Sequence, residues 1–206
     1  EKKGFLLVDS GATYMDGTTD ITRTYPLGPL TEDEKRFYTW TLQSHIDLAK
    51  AVWLDYCECK MIDTIAREPL WRNLINYRCG TGHSVSFVGN VHEGPHALNS
   101  RNTTRMRPGM VVTDEPGVYE TDLVGIRIEN ELVCVHRADN QYGTFLGFEP
   151  LMFVPIATSP ILPGVLDKDE IAWLNDYHRQ VFAKLAPHLN DEERSWLAEK
   201  CAAIGC

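Results

Sequence analysis

FLLVDSGATYMDGTTDITRT, residues 5–24, places β-rich runs on either side of Met15-Asp16-Gly17. Asp-Gly between two such runs is a strong hairpin signal, because both residues tolerate the backbone angles of a tight turn. Two carboxylates disturb this otherwise ordinary hairpin. Asp9 follows the apolar run Phe5-Leu6-Leu7-Val8, and Asp20 stands on the returning strand. An ionised group in such a run needs something beside it to offset its charge.

Two more carboxylates stand in similar places. MVVTDEPGVYE, residues 110–120, reads as a strand broken at Pro116-Gly117 and carries Glu115. GIRIENELVCV, residues 125–135, alternates apolar and polar residues as a strand does and carries Glu129. VDSG at 8–11 and DEPG at 114–117 are faint echoes of each other, two hairpins of similar design. Lone buried carboxylates would take up protons. Salt bridges to Arg23, Arg105, Arg107 and Arg127 are one solution. Metal is the other: two divalent cations balance four carboxylates, and a shared water between two such ions is a hydrolytic device. A set rich in carboxylates favours hard or borderline ions such as Mn²⁺.

The rest of the chain supplies a frame. Thr31-x-x-Glu34 is a capping box, and Phe37, Trp40, Ile46 and Leu48 recur at helical spacing, which predicts a helix over 32–54. A second helix is expected at 58–68 and a third after Pro69. GTGHSVSFVGNVHEGPHAL, residues 80–98, is too irregular for one helix, and Arg107-Pro108-Gly109 is a turn. Residues 138–143 read as a loop and 148–156 as a further strand. Pro160 and Pro163 mark a boundary, giving a domain over 1–157 and a helical extension over 158–206. Asp167-x-x-Glu170 and Asn190-x-x-Glu193 open its two helices, and Trp173, Leu174, Tyr177 and Val181 form the packed face of the first.

Composition narrows the function. A net charge of −9 over 206 residues argues against a nucleic-acid grip or a membrane-surface role. No apolar run approaches the roughly 20 residues that span a bilayer. Six cysteines, sparse and irregularly spaced, read as reduced thiols of a cytoplasmic protein. Cys57-x-Cys59 has no second pair near it in sequence, so it reads as helix thiols and not as half a zinc site.

Four segments in series, VDSGATYMDGTTDITRT, GTGHSVSFVGNVHEGP, DEPGVYE and GIRIEN, resemble aminopeptidase P, the X-Pro aminopeptidases of the pita-bread metallopeptidases. The NVHEGP and EPLMFVPI versions look like the larger cytosolic eukaryotic branch, and the likeness reaches about residue 180. The resemblance implies an α/β (α+β) pita-bread fold with β-hairpins lining a dinuclear metal site and helices outside. It implies that Asp9 chelates one metal, that His83 and Glu115 hold the other, and that Asp20 and Glu129 bridge the two. A water between two Mn²⁺ ions would attack the carbonyl before a proline in position two. Glu115 would shuttle the proton, and His92 would hold the substrate and its oxyanion. Tyr119 lines the site or packs as an aromatic, and Arg127 orients the ligands more than it contacts substrate. His96 is expected to be structural. A homodimer is expected from the helical extension of that branch.

The sequence departs from the family at three points. The usual HGTGHGVG is CGTGHSVS here, so Cys79 replaces a substrate-binding histidine, and Ser84 and Ser86 replace glycines and could crowd the pocket. A further active-site histidine upstream of Asp9 in the family falls outside this sequence. So does the start of the family's catalytic domain. Two other readings stay open: a pita-bread binding module that has lost catalysis, and a prolidase-like dipeptidase.

Overall fold

The computed structural model describes residues 2–205. Its first strands, β1 (Phe5–Tyr14) and β2 (Gly17–Pro26), form the expected hairpin, in register from Phe5↔Pro26 to Tyr14↔Gly17. Asp9 faces Thr22 and Gly11 faces Asp20. Side chains alternate along a strand, so Asp9, Asp20 and Thr22 all project from one face of the hairpin.

Helix α1 (Glu32–Ala49) begins on the predicted capping box, with Thr31 and Glu34 each bonding the other's backbone. It ends five residues sooner than the pattern predicts. Residues Val52–Leu54 form a strand, β3, in which Trp53 enters the core while Val52 stays exposed. That alternation of period two, satisfied by pairing with a later strand, overrides the helical continuation. Helix α2 (Cys59–Trp71) contains Pro69 in its last turn and does not stop before it. No new helix follows: Leu74 takes a left-handed φ of 60°, and the Ile75 N–H closes the end on the Leu70 carbonyl.

Two short strands, β4 (Gly82–His83) and β5 (Ala97–Leu98), pair with each other and punctuate the Gly- and His-rich stretch. Then come β6 (Val111–Asp114), β7 (Gly117–Glu120), β8 (Val124–Arg127), β9 (Asn130–Asn140) and β10 (Gly143–Pro150). The break at Pro116-Gly117 is as expected. The strand predicted over 125–135 is divided between β8 and β9, and Glu129 sits at the division. The predicted loop at 138–143 is a continuation of β9 into β10, with Asn140 opposite Gly143 and only Gln141-Tyr142 as the turn. A four-stranded sheet runs β3-β10-β9-β6, beside the two-stranded β1-β2, β4-β5 and β7-β8. Beyond Pro150 the predicted strand does not continue, and the stretch to residue 156 takes no regular secondary structure.

Helices α3 (Lys168–Leu185) and α4 (Asp191–Lys200) start on the predicted capping boxes at Asp167 and Asn190. Leu174, Tyr177 and Val181 of α3 and Leu197 of α4 share a core with Tyr38, Leu42 and Ile46 of α1 and with Ile126 and Ile128. A second core fills the space between α1, α2 and the large sheet, with Leu48, Ile62, Val112, Leu132 and Phe148. Burying such a side chain is worth about 1.5–3 kcal/mol. Both cores therefore press α1 onto the back of the strands that carry the carboxylates.

Candidate metal centre

Five segments deliver the predicted ligands to one place. The β1–β2 hairpin presents Asp9 and Asp20. Glu129 precedes β9, and its N–H donates to the Thr22 carbonyl of β2. Glu115 follows β6, with its N–H on the Thr81 carbonyl just ahead of β4, which holds His83. Ligand atoms of Asp9, Asp20 and Glu129 lie within 4.8 Å of one another. So do those of His83, Glu115 and Glu129, and those of Asp20, His83 and His92. All five expected ligands are thus brought together, and two of the triads share Glu129.

The donor set suits cations. His83 sets its Nδ1 against the Ser84 carbonyl at 3.2 Å, which leaves Nε2 facing Asp20 Oδ2 at 3.3 Å and Glu115 Oε1 at 3.1 Å. A nitrogen lone pair between two carboxylates needs a proton or a metal. Burial works against a charge on His83, yet the hydrogen bonds to Asp20 and Glu115 outweigh it and raise its pKa to about 10. Burial, and then repulsion from Glu115, push the Glu129 carboxyl up to about 8, against the hydrogen bond it accepts from Thr22.

Ion pairs alone do not balance the charge. Arg127 is the one arginine of the four candidates that enters the cluster. Its Nη2 donates to Asp9 Oδ2 at 2.5 Å and its Nε to Thr22 Oγ1 at 3.0 Å. Its Nε also lies 3.9 Å from carboxylate oxygens of Glu115 and Glu129. Arg23 is spent elsewhere, on the carbonyls of Val154 and Glu129, on Asn130 and on Tyr177. Once His83 gives up its proton to a metal, Arg127 alone stands against four ionised carboxylates, and three negative charges remain uncompensated. The carboxylate-rich donor set, with Asp20 and Glu129 buried, and this deficit fit a pair of divalent ions.

These shifts predict a pH dependence. His83 has a folded pKa above its unfolded value, so its contribution to stability is complete below about 6.5 and is lost as pH rises toward 10. Glu129 ionises freely when unfolded but only above about 8 when folded, so its penalty accumulates from pH 4.5 to about 8. Both act in one direction. The melting temperature of metal-free protein is expected to fall from pH 5 to pH 9, and added Mn²⁺ to restore more stability at each higher pH. Calorimetric scans with and without Mn²⁺ check this; a flat difference between them contradicts it.

The remaining predicted residues lie around the cluster. His92 is exposed and stacks on His83, with ring centroids 3.6 Å apart and planes at 27°. Tyr119 is half exposed, and its hydroxyl accepts from Arg127 Nη1 at 2.5 Å. His96 is buried with Nε2 on the Val111 carbonyl and belongs to none of the triads. Cys79 is exposed, its Sγ 3.7 Å from the Gly117 carbonyl at the start of the hairpin that carries Tyr119. Ser84 and Ser86 line a cavity of about 680 Å³ with Phe87, Met110 and Glu131, and the Ser86 hydroxyl donates to the Asn90 carbonyl. The five described cysteines are free thiols.

Two residues of the site were missed in the sequence. Thr22 donates to Glu129, and Thr113 Oγ1 donates to Glu115 Oε1 at 3.0 Å while accepting the His83 N–H at 2.9 Å. Each stands two residues from an acidic ligand, Asp20 or Glu115. The two-residue period of a strand was the signal that could have found them.

The sequence matches metallopeptidase family M24 over residues 1–136 and the C-terminal region of peptidase M24 over residues 144–204. It is 42% identical to aminopeptidase P1 of Lotus japonicus over 205 residues, 97% of this chain and 31% of that protein. The structure is similar to that of X-prolyl aminopeptidase from Caenorhabditis elegans, described as a cytosolic enzyme with a di-nuclear active site. The TM-score is 0.92 at 39% identity, covering 97% of this chain and 34% of that one. Prolidase from Pyrococcus furiosus is more distant, with a TM-score of 0.61 at 29% identity over 72% of this chain and 41% of its own. The chain spans about a third of the length of the curated relatives it matches. Among the described residues no helix is long and apolar enough to cross a membrane.

Proposed function

The chain belongs to metallopeptidase family M24 and has its pita-bread fold, and on that footing we propose that it works as an aminopeptidase P. It releases the first residue of peptides that carry proline in position two. The observation that carries this reading is the convergence of Asp9, Asp20, His83, Glu115 and Glu129 on one charge-deficient cluster. Asp9 would hold one ion and His83 and Glu115 the other, with Asp20 and Glu129 placed between them. Bound there, two divalent ions, Mn²⁺ in this reading, would lower the pKa of a water and polarise the scissile carbonyl.

The chain's own residues do the rest. Glu115, oriented by Thr113, accepts the proton of the attacking water and delivers it to the departing proline nitrogen. His92, stacked on His83 at the open side of the cluster, donates to the oxyanion that develops on the substrate. Arg127 steadies Asp9 and Thr22 and carries Tyr119, which forms part of the substrate wall. Cys79, at the foot of that wall, offers a neutral donor where relatives place an imidazole. The protein acts as a cytoplasmic homodimer, with neither nucleic acid nor membrane as partner.

The alternatives are less well supported. The likeness to prolidase is weaker in both TM-score and coverage than the likeness to X-prolyl aminopeptidase. A binding module that had lost catalysis would have no need of five intact donors. Hydrolysis of an X-Pro-Pro tripeptide by the protein, stripped of metal and then refilled with Mn²⁺, tests the proposal. Release of the first residue only after refilling is the expected result. Turnover of X-Pro dipeptides alone would make it a dipeptidase, and bound metal without turnover would make it a binding module.

A further inference from the structure

Behind the metal centre, on the opposite face of the large sheet, lies a polar network that the chemistry above does not use. Asp114 and Asn130 face each other across the β6–β9 pair. Asp114 directly precedes Glu115, and Asn130 directly follows Glu129. Because side chains alternate, these two point away from the carboxylate cluster and toward α1. There they meet His45, and all three residues are 0% exposed.

The contacts leave one consistent arrangement of hydrogens. Asn130 Oδ1 accepts from Arg23 Nη2 at 2.8 Å and from the Tyr177 hydroxyl at 3.3 Å. Its Nδ2 is therefore the atom that donates to His45 Nε2, at 3.3 Å. With Nε2 as acceptor, Nδ1 carries the proton. Nδ1 lies 3.1 Å from Asp114 Oδ2 and 3.2 Å from the Asp114 carbonyl. The hydrogen bond runs to the carbonyl, and the Asp114 carboxylate oxygens accept none among the described residues, so His45 Nδ1 is the polar group set against Oδ2. The edge of His45 meets the ring of Trp173 on α3, with centroids 5.9 Å apart and planes at 81°. Arg23 Nη1 closes the network on the carbonyl of Glu129 itself.

We infer that His45 is a positioning residue for the metal centre. It ties Asp114 to Asn130, and so fixes the spacing between Glu115 and Glu129 on the other face. The inference rests on the reading of Glu115 and Glu129 as metal ligands. Packing alone does not call for this arrangement, since buried polar triads cost desolvation that apolar residues of the same volume avoid. What a buried triad supplies is one fixed geometry, and two carboxylates that must share a pair of ions need that. The network also joins α3 to the centre, because Tyr177 and Trp173 press on two of its members.

Mn²⁺ titration calorimetry, thermal unfolding and steady-state kinetics on the protein and four variants test this. His45→Leu is expected to weaken Mn²⁺ binding about tenfold or more, and to lower kcat at saturating Mn²⁺ while leaving KM nearly unchanged. His45→Gln keeps a donor for Asp114 and an acceptor for Asn130, and is expected to recover most of the lost affinity. Leu42→Ala, one turn earlier on α1 and outside the network, is expected to lower Tm without altering Mn²⁺ affinity. Wild-type Mn²⁺ affinity in His45→Leu, whatever its Tm, overturns the inference. So does an equal loss of affinity in Leu42→Ala, which would make the effect one of stability alone. Glu129→Gln separates the two levels: if it binds Mn²⁺ as tightly as the wild type, the reading of the metal centre fails first.

Discussion

Glu129→Gln is expected to lower kcat/KM by about 10³-fold and, at the same time, to make the metal-free protein more stable. Glu129 is 1% exposed and belongs to two of the ligand triads. The amide keeps the volume and still accepts from Thr22, but it loses the charge and one coordinating oxygen. Several kcal/mol of transition-state stabilisation depend on the ions, and about 4 kcal/mol corresponds to three decades in rate. The gain in stability comes from the same property. The carboxylate is held in a buried site beside Glu115, where its pKa is pushed up to about 8. A neutral amide carries no such penalty, so the advantage of the variant grows from pH 4.5 to about 8 and then levels off. Paired assays of peptide turnover and of metal-free melting at pH 6 and 8.5 read both effects. A variant that loses activity without gaining metal-free stability would show that Glu129 is not under electrostatic strain.

Gly82→Ala is expected to abolish the centre by a route that touches no charge. A Cβ at Gly82 would stand 1.8 Å from the Thr113 carbonyl oxygen and 2.7 Å from its carbon, and neither belongs to a side chain that can swing away. Strand β4 lies that close to β6 because the His83 N–H uses Thr113 Oγ1 and the Glu115 N–H uses the Thr81 carbonyl. Relieving the clash means parting the two segments, which draws His83 away from Glu115. Overpacking against backbone belongs to the upper range of point-mutant effects, about 4–5 kcal/mol. Gly80→Ala is the control, since its nearest neighbour would be an ordinary contact at 3.5 Å. Urea unfolding and Mn²⁺ binding should separate the two variants cleanly; equal midpoints would contradict the steric argument.

Local signals in the sequence carried far. The Asp-Gly hairpin, three capping boxes and the packed face of α3 all stand where composition and spacing put them. The errors have a common cause in long-range pairing. Val52–Leu54 left the helix because β10, more than 90 residues away, offered a partner. Residues 138–143 form strand because β9 and β10 continue across a turn of two residues, which Gly143 permits with its φ of 131°. The five candidate ligands were legible because their motifs recur in a known family. His45 was not: its partners lie 69 and 85 residues along the chain, and a lone histidine on a helix carries no mark of them.

The ligands are also far apart along the chain, from Asp9 at one end of the set to Glu129 at the other. Any two of the triads together span at least residues 20–129. Closing so long a loop is a late event in folding, since its entropic cost has to be met by contacts already made. An ion arriving early would find isolated carboxylates. Only a chain that has already docked β4, β6 and β9 against the first hairpin would bring the candidate ligands of two ions together. Metal uptake is therefore expected to follow the docking of these segments, so that a retained pair of ions would report a finished fold.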